Sequence, residues 1–185
     1  MKLNTARLIL HPVRMADAKA FFDHASIPEV AKNAGFLPKS IAETKMYLRK
    51  SVAEWKQAKP ERMTFSILLK REKTWIGSLE LRWLQEGVGE IGFFIHPTSW
   101  GNGYATEAAK ATIRWAFTRG YAHRIQGSCW IKNIPSIKVL AKIGLRKEGR
   151  LRGVAKVGKE LQDDFIFGIT SQDWKSARSA ARHRR

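Results

Sequence analysis

Cysteine is almost missing from this chain: Cys129 is the only one in 185 residues. That excludes an internal disulfide and a thiol-based metal cluster, and fits a reducing compartment. A lone thiol inside an apolar run reads as core rather than as a nucleophile. No apolar run approaches the roughly 20 residues that span a bilayer, and Met1-Lys2-Leu3-Asn4 lacks an apolar signal core, so a soluble, cytoplasmic protein is expected. Acid is scarce as well, with 16 Asp and Glu against 34 Lys and Arg and a formal net charge of +18. Two phosphate-binding motifs are also missing. There is neither a Gly-x-Gly-x-x-Gly followed by an acid about 20 residues on, nor a Gly-Lys-Ser/Thr loop, which argues against a dinucleotide fold and a P-loop hydrolase.

What is present is a core. Hydrophobic residues make up 44% of the chain, with seven Trp and nine Phe, and the length suits a single domain. The positive charge is partly local. Residues 175–185 form a basic tail, and Lys132, Lys138, Lys142, Arg146, Lys147, Arg150, Arg152, Lys156 and Lys159 stand against the single acid Glu148. Such a surface is either a solvated face that keeps the protein soluble or one that meets an anion, whether a phosphorylated cofactor or RNA.

Along the chain, Thr5 to Val13 reads as a strand and Met15 to Ala25 as an amphipathic helix. Turns are expected at Pro28, Gly35 and Pro38. Ser40 with Glu43 forms a capping box for a helix from Ile41 to about Gln57, with Tyr47, Leu48, Val52 and Trp55 facing inward. Met63 to Leu69, Thr74 to Leu84 and Glu90 to Ile95 read as a three-strand meander. Arg124 to Trp130 is a strand, Ile134 to Ile143 a short helix stopped by Gly144, and Leu145 to Val157 with Glu160 to Ile169 a terminal hairpin around Gly158.

Between the Glu90 strand and the next helix lies Trp100-Gly101-Asn102-Gly103-Tyr104-Ala105-Thr106. Ala105, Ala108, Ala109, Thr112, Ile113, Ala116 and Phe117 then follow helical spacing, and Gly120 ends the run. Glycine at 101 and 103 removes the Cβ atoms that would hold an anion away, so amides at the helix start are free to face a pyrophosphate. Taken alone, Gly-x-Gly is a weak signal, because many helix-entry turns use glycine for packing.

With Thr5-x-Arg7-Leu8-x-Leu10, Ile76-Gly77, Glu90-Ile91-Gly92, Gly149, Asp163 and Asn133-x-x-Ser136-x-x-Val139-Leu140-x-x-Ile143-Gly144-Leu145, the chain resembles the GNAT N-acetyltransferases from about Thr5 to Trp174. Within them it is most similar to the RimJ/RimL-like branch, which acetylates the N-termini of ribosomal proteins. The resemblance implies an α/β (α+β) fold with a mixed, mostly antiparallel central sheet of about six to seven strands flanked by about four helices. It makes residues 1–174 the acetyltransferase domain and 175–185 a basic C-terminal tail. The implied co-substrate is acetyl-CoA, with no metal, and the acceptor is a primary amine attacked directly in a ternary complex.

Residue by residue, the resemblance assigns Trp100, Gly101, Asn102, Gly103, Tyr104, Ala105 and Thr106 to the pyrophosphate loop, with Trp100 where the family usually has Gln or Arg. Phe93, Phe94 and Ile95 would offer backbone groups to the pantetheine arm and one amide to an oxyanion. Asn133 would hydrogen-bond the pantetheine and Ser136 would sit near the sulfur; plain helix capping is the competing reading of both. Chemistry requires a base for the amine, and Glu90 and Glu80 are the candidates, with surface carboxylates as the bland alternative. Many relatives carry a tyrosine seven residues after the Asn to protonate the thiolate; here that residue is Leu140, leaving Ser136 as the nearest hydroxyl. Asp163 and Asp164 would either bind a substrate ammonium or offset nearby bases. His96 would face the cleft or a surface turn, and His11, His24, His123 and His183 show no catalytic pattern. Weak base machinery suits an amine of low pKa such as a protein N-terminus. A small-molecule or peptide-antibiotic amine is the alternative acceptor, and a non-catalytic, basic RNA-associated protein is the second alternative. For the acetyltransferase reading as well, the basic tail and the Lys132 to Lys159 surface are expected to contact the ribosome or RNA.

Overall fold

Apolar alternation places Leu8 and Leu10 in the core, both fully buried, and builds strand β2 (Leu8–Pro12). β2 pairs antiparallel with the two-residue strand β1 (Leu3–Asn4), Leu3 opposite Leu10. The single strand expected from Thr5 to Val13 therefore starts later. Thr5 makes the turn instead, its Oγ1 accepting the Leu8 N–H at 2.8 Å. The computed structural model describes residues 1–28, 30, 40–157 and 160–182. Turns expected at Gly35 and Pro38, and the hairpin bend at Gly158, lie outside the described residues.

Two compact units divide the chain. The first comprises Met1–Trp83 and Ile91–Thr112. Its strand order is β1-β2-β3-β4-β5, with β3 at Arg62–Leu69, β4 at Trp75–Gln85 and β5 at Val88–Ile95. Antiparallel registers such as His11 opposite Ser66 and Thr64 opposite Glu80 fix which side chains share a face. Phe65, Ile67, Leu79 and Leu81 are fully buried. A short 3-10 turn (Met15–Asp17) leads into helix α1 (Ala18–Ala25), which packs with helix α2 (Ile41–Glu54) through Val13, Ala18, Phe21 and Leu48. Ser40 caps α2 as expected, its Oγ accepting the Glu43 N–H at 3.1 Å. The helix stops at Glu54 rather than Gln57 because tertiary bonds take over. The Glu54 carboxylate accepts the Glu61 N–H at 2.8 Å, and the Trp55 indole donates to the Thr64 carbonyl at 2.9 Å.

The second unit comprises Leu84–Glu90 and Ile113–Arg185. Its strand order is β5-β6-β8-β7, with β6 at Arg124–Trp130, β7 at Arg146–Val157 and β8 at Glu160–Thr170. β5 and β6 run parallel over three pairs ending at Glu90 opposite Gln126, whereas β6–β8 and β8–β7 are antiparallel. Helix α3 (Tyr104–Thr118) contributes Ile113, Ala116 and Phe117 to the core, and helix α4 (Ile134–Lys142) contributes Leu140. Helix α5 (Ser171–Arg182) was not anticipated, although its start is encoded. Thr170 and Asp173 bond reciprocally, Asp173 N–H to Thr170 Oγ1 at 3.1 Å and Thr170 N–H to Asp173 Oδ2 at 3.3 Å, a capping box three residues apart. Trp174 then lays its ring 5.6 Å from that of Phe117.

The fold is thus a mixed α/β arrangement with eight strands, mostly antiparallel, and five α-helices among the described residues. The strand count exceeds the expectation by β1, and the helix count by α5. No helix among the described residues is long and apolar enough to cross a membrane.

Candidate active site

The 3-10 turn Pro97–Ser99 carries the chain from β5 into the glycine loop. His96 starts that turn: its Nδ1 accepts the Thr98 N–H at 3.3 Å and lies 2.8 Å from the Thr98 hydroxyl. Trp100 then ties the loop back to the strand, its indole N–H donating to the Ile95 carbonyl at 2.5 Å. Asn102 braces the bend from its side chain, with Nδ2 donating to the carbonyls of Ser99 at 3.2 Å and Trp100 at 2.9 Å. Gly101 and Gly103 sit at φ of +76° and +77°, a left-handed conformation that costs a side-chain-bearing residue about 1 kcal/mol or more.

This geometry leaves backbone donors open. The first bond of α3 runs from the Glu107 N–H to the Gly103 carbonyl at 3.0 Å. The amides of Gly101, Asn102, Gly103, Tyr104, Ala105 and Thr106 find no acceptor among the described residues. Gly101, Asn102 and Gly103 are exposed, and a Cβ on Gly101 would meet nothing within 4 Å. A cluster of open amides at a helix start is an anion cradle. Arg7 stands beside it. Its guanidinium lies 4.6 Å from the centre of the Tyr104 ring, and its Nε donates to Glu107 Oε2 at 2.7 Å.

On the same unit, Phe21, Tyr47, Arg62, Thr64, Glu80 and Phe94, together with His24, Ala25, Val30, Ser78 and Gly92, line a cavity of about 340 Å³. Glu80 Oε2 accepts the Tyr47 hydroxyl at 2.9 Å and the Thr64 hydroxyl at 3.2 Å, and lies 3.6 Å from Arg62 Nη1. Burial first, and then the Glu80 charge, push the Tyr47 hydroxyl up to about 12, so it remains a protonated donor. Residues 7–146 match the acetyltransferase (GNAT) domain.

The chain belongs to the GNAT family.

Over 178 residues it is 29% identical to the uncharacterized N-acetyltransferase YnaD of Bacillus subtilis, covering 94% of this chain and 99% of that one. A solved GNAT-family acetyltransferase from Bacillus anthracis superimposes with a TM-score of 0.83 at 26% identity, over 93% of this chain and 99% of that chain. RimL, the ribosomal L7/L12 alpha-N-protein acetyltransferase, solved in complex with coenzyme A, shares the fold with a TM-score of 0.83 at 13% identity, over 92% and 98% of the two chains. The protein is an N-acetyltransferase of the GNAT class, whose members use acetyl-CoA. The open amides from Gly101 to Thr106 fit the phosphate-bearing end of such a donor.

Other residues named from the sequence are distributed as follows. Phe93, Phe94 and Ile95 belong to the end of β5 in the first unit, and a Cβ on Gly77 of β4 would run into the Phe94 carbonyl. Glu80 is the one carboxylate among the described cavity-lining residues, while Glu90 lies in the second unit opposite Gln126. Asn133 and Ser136 are also in the second unit, and the capping reading of the pair holds: Asn133 Oδ1 accepts the Ser136 N–H at 3.2 Å. Capping leaves the Asn133 amide nitrogen and the Ser136 hydroxyl without a partner among the described residues. Leu140, where many relatives have tyrosine, is a core residue 2% exposed.

Asp163 offsets a base rather than waiting for an ammonium ion. It accepts Arg150 Nε at 2.7 Å and the Gly153 N–H at 2.8 Å, and those two bonds hold its carboxyl below the usual range. Asp164 accepts Gln162 Nε2 at 3.2 Å. Arg146 lies 3.4 Å from Asp173, and Lys147 sits over the Phe165 ring, so part of the basic surface is internally engaged. The cavity residues His24, Tyr47, Arg62 and Thr64 were not read as site residues. Tyr47 carried a signal as an inward-facing helix residue, whereas His24 carried none.

Proposed function

We propose that this N-acetyltransferase acts on a primary α-amine of the kind found at a protein N-terminus, with Glu80 receiving the proton that the amine must lose. The observation that carries the reading is the Glu80 carboxylate on the cavity wall, its Oε2 fixed by two hydroxyl donors and faced by a guanidinium, its Oε1 without a partner among the described residues. An α-amine has pKa of about 7.7 to 8.0 against about 10.4 for a lysine side chain, so a single carboxylate suffices to hold it and take the last proton near neutrality. Cavity size agrees: about 340 Å³ is near the low end for ligand sites, room for the end of a chain rather than a multi-ring antibiotic. The RimL likeness supports this reading at the level of fold, and a ribosomal protein N-terminus is the acceptor it favours.

When bound, acetyl-CoA supplies the acetyl group as a thioester. In the proposal the amides of Gly101 to Thr106 hold its diphosphate, and Phe93 to Ile95 offer main-chain groups to its arm. Glu80 takes the base role ahead of Glu90 because Glu80 lines the cavity.

A thiol-release assay with acetyl-CoA tests the reading against amino-acid amides, N-terminal peptides, α-blocked lysine peptides, polyamines and aminoglycosides. Free α-amines are expected to react with kcat/KM at least ten times that of the blocked lysine peptides. Preferential acetylation of polyamines or antibiotics would overturn it.

A further inference from the structure

His24 ends α1 inside the cavity wall and is only 3% exposed. Among the described residues neither of its ring nitrogens has a hydrogen-bond partner, and the Nε of Arg62, on the same wall, is buried and unpaired among them too. A buried polar group left without a partner is destabilising, and native proteins rarely keep one without a use for it. Its ring neighbours do not satisfy it: Trp75 meets it edge-on with centroids 5.3 Å apart, and His96, at 5.6 Å, already has its Nδ1 turned to Thr98. Burial, and then the neighbouring His96 charge, push the imidazole down to about 4, so it is a neutral ring with one donor and one acceptor.

From this placement we infer that His24 is a specificity-determining residue that hydrogen-bonds a second polar group on the acceptor, adjacent to the amine that Glu80 receives. The inference rests on the α-amine reading and narrows it: the acceptor carries a carbonyl on the carbon next to its amine, as an amino-acid amide or peptide does. That carbonyl accepts the imidazole N–H, with Arg62 Nε as a further donor on the same wall, while Phe21, Ala25 and Phe94 surround the adjoining side chain. A plain alkylamine fills the same space and leaves both groups unpaired, which is the situation in which a site built from buried donors discriminates strongly.

The test compares alaninamide with 2,2-difluoroethylamine, a small amine of similarly low basicity without the carbonyl. Wild-type protein should prefer alaninamide at least tenfold in kcat/KM. His24→Phe should erase most of that preference through the acceptor KM, keep the acetyl-CoA KM within twofold and melt at or above the wild-type temperature. His24→Gln, which retains a hydrogen-bonding group, should keep more of the preference. If both variants prefer alaninamide as wild type does, or if both KM values rise together with a lower melting temperature, His24 is structural and the inference fails alone. A wild-type protein with no preference for alaninamide overturns the inference and the α-amine reading together.

Discussion

Arg7 and Glu107, one hundred residues apart, form a two-point clamp: the Arg7 N–H donates to Oε1 at 2.9 Å and its Nε to Oε2 at 2.7 Å. The clamp fastens the residue before β2 to the first turn of α3, directly behind the glycine loop. Burial alone would raise the Glu107 carboxyl, but hydrogen bonds from Thr5 and Arg7 outweigh it and hold the group below its usual value.

Glu107→Gln or Arg7→Ala is therefore expected to loosen the loop. The pair is partly exposed, so a loss of about 1 kcal/mol in stability is the expected scale. Calorimetry with coenzyme A should show a several-fold weaker affinity for either variant. Unchanged affinity would mean that the loop holds its shape without the clamp.

Glu80→Gln should lower kcat by about 10²-fold or more while leaving the acetyl-CoA KM nearly unchanged, the scale of a lost general base. Tyr47→Phe, which removes one donor to Glu80, should cost about tenfold. Glu90→Gln provides the contrast. Should its loss in steady-state kinetics exceed that of Glu80→Gln, the base belongs on β5.

Histidine in an unfolded chain titrates near 6.5, whereas folded His24 resists protonation down to about 4. Between those values the unfolded chain takes up a proton that the native state refuses, so the stability this group lends at neutral pH drains away as pH falls through that window. The limit is about 3 kcal/mol. Urea midpoints of wild type and His24→Phe at pH 7.5, 5.5 and 4.5 isolate the effect, and the variant should gain on wild type at each step down. A constant difference would show that His24 protonates freely.

Cys129, held in β6, has its thiol pushed up to about 11 by burial and then by the Asp164 carboxylate. Iodoacetamide at pH 8 should leave the native protein unlabelled over an hour and modify it within minutes in urea. Rapid native labelling would contradict the buried placement.

How much of this was readable from residue order depends on the range of the interaction. β6 was legible to the residue, Arg124 to Trp130, because its pattern is local, and the start of α2 was legible because Ser40 caps it three residues away. The loop was legible for the same reason: two glycines and a helical stripe are neighbours in sequence. α5 was missed although Thr170 and Asp173 mark its start, since its basic, polar composition gave no apolar stripe to draw attention to that capping box. The cavity was beyond reach. Tyr47, Thr64 and Glu80 meet across separations of 33 and 16 residues, and nothing near His24 announces that its nitrogens go unpaired among the described residues.

The strand order puts β7 at one margin of the sheet and the two-residue β1 at the other. Extended main chain at a margin invites another copy to dock by backbone pairing. Here β7 carries Arg146, Lys147, Arg150, Arg152 and Lys156 along an exposed ribbon, so two copies meeting there would set cation against cation. The excess of positive charge thereby guards against stacking into fibrils, a defence that fades in brine, where screening shrinks to about 3 Å at 1 M salt.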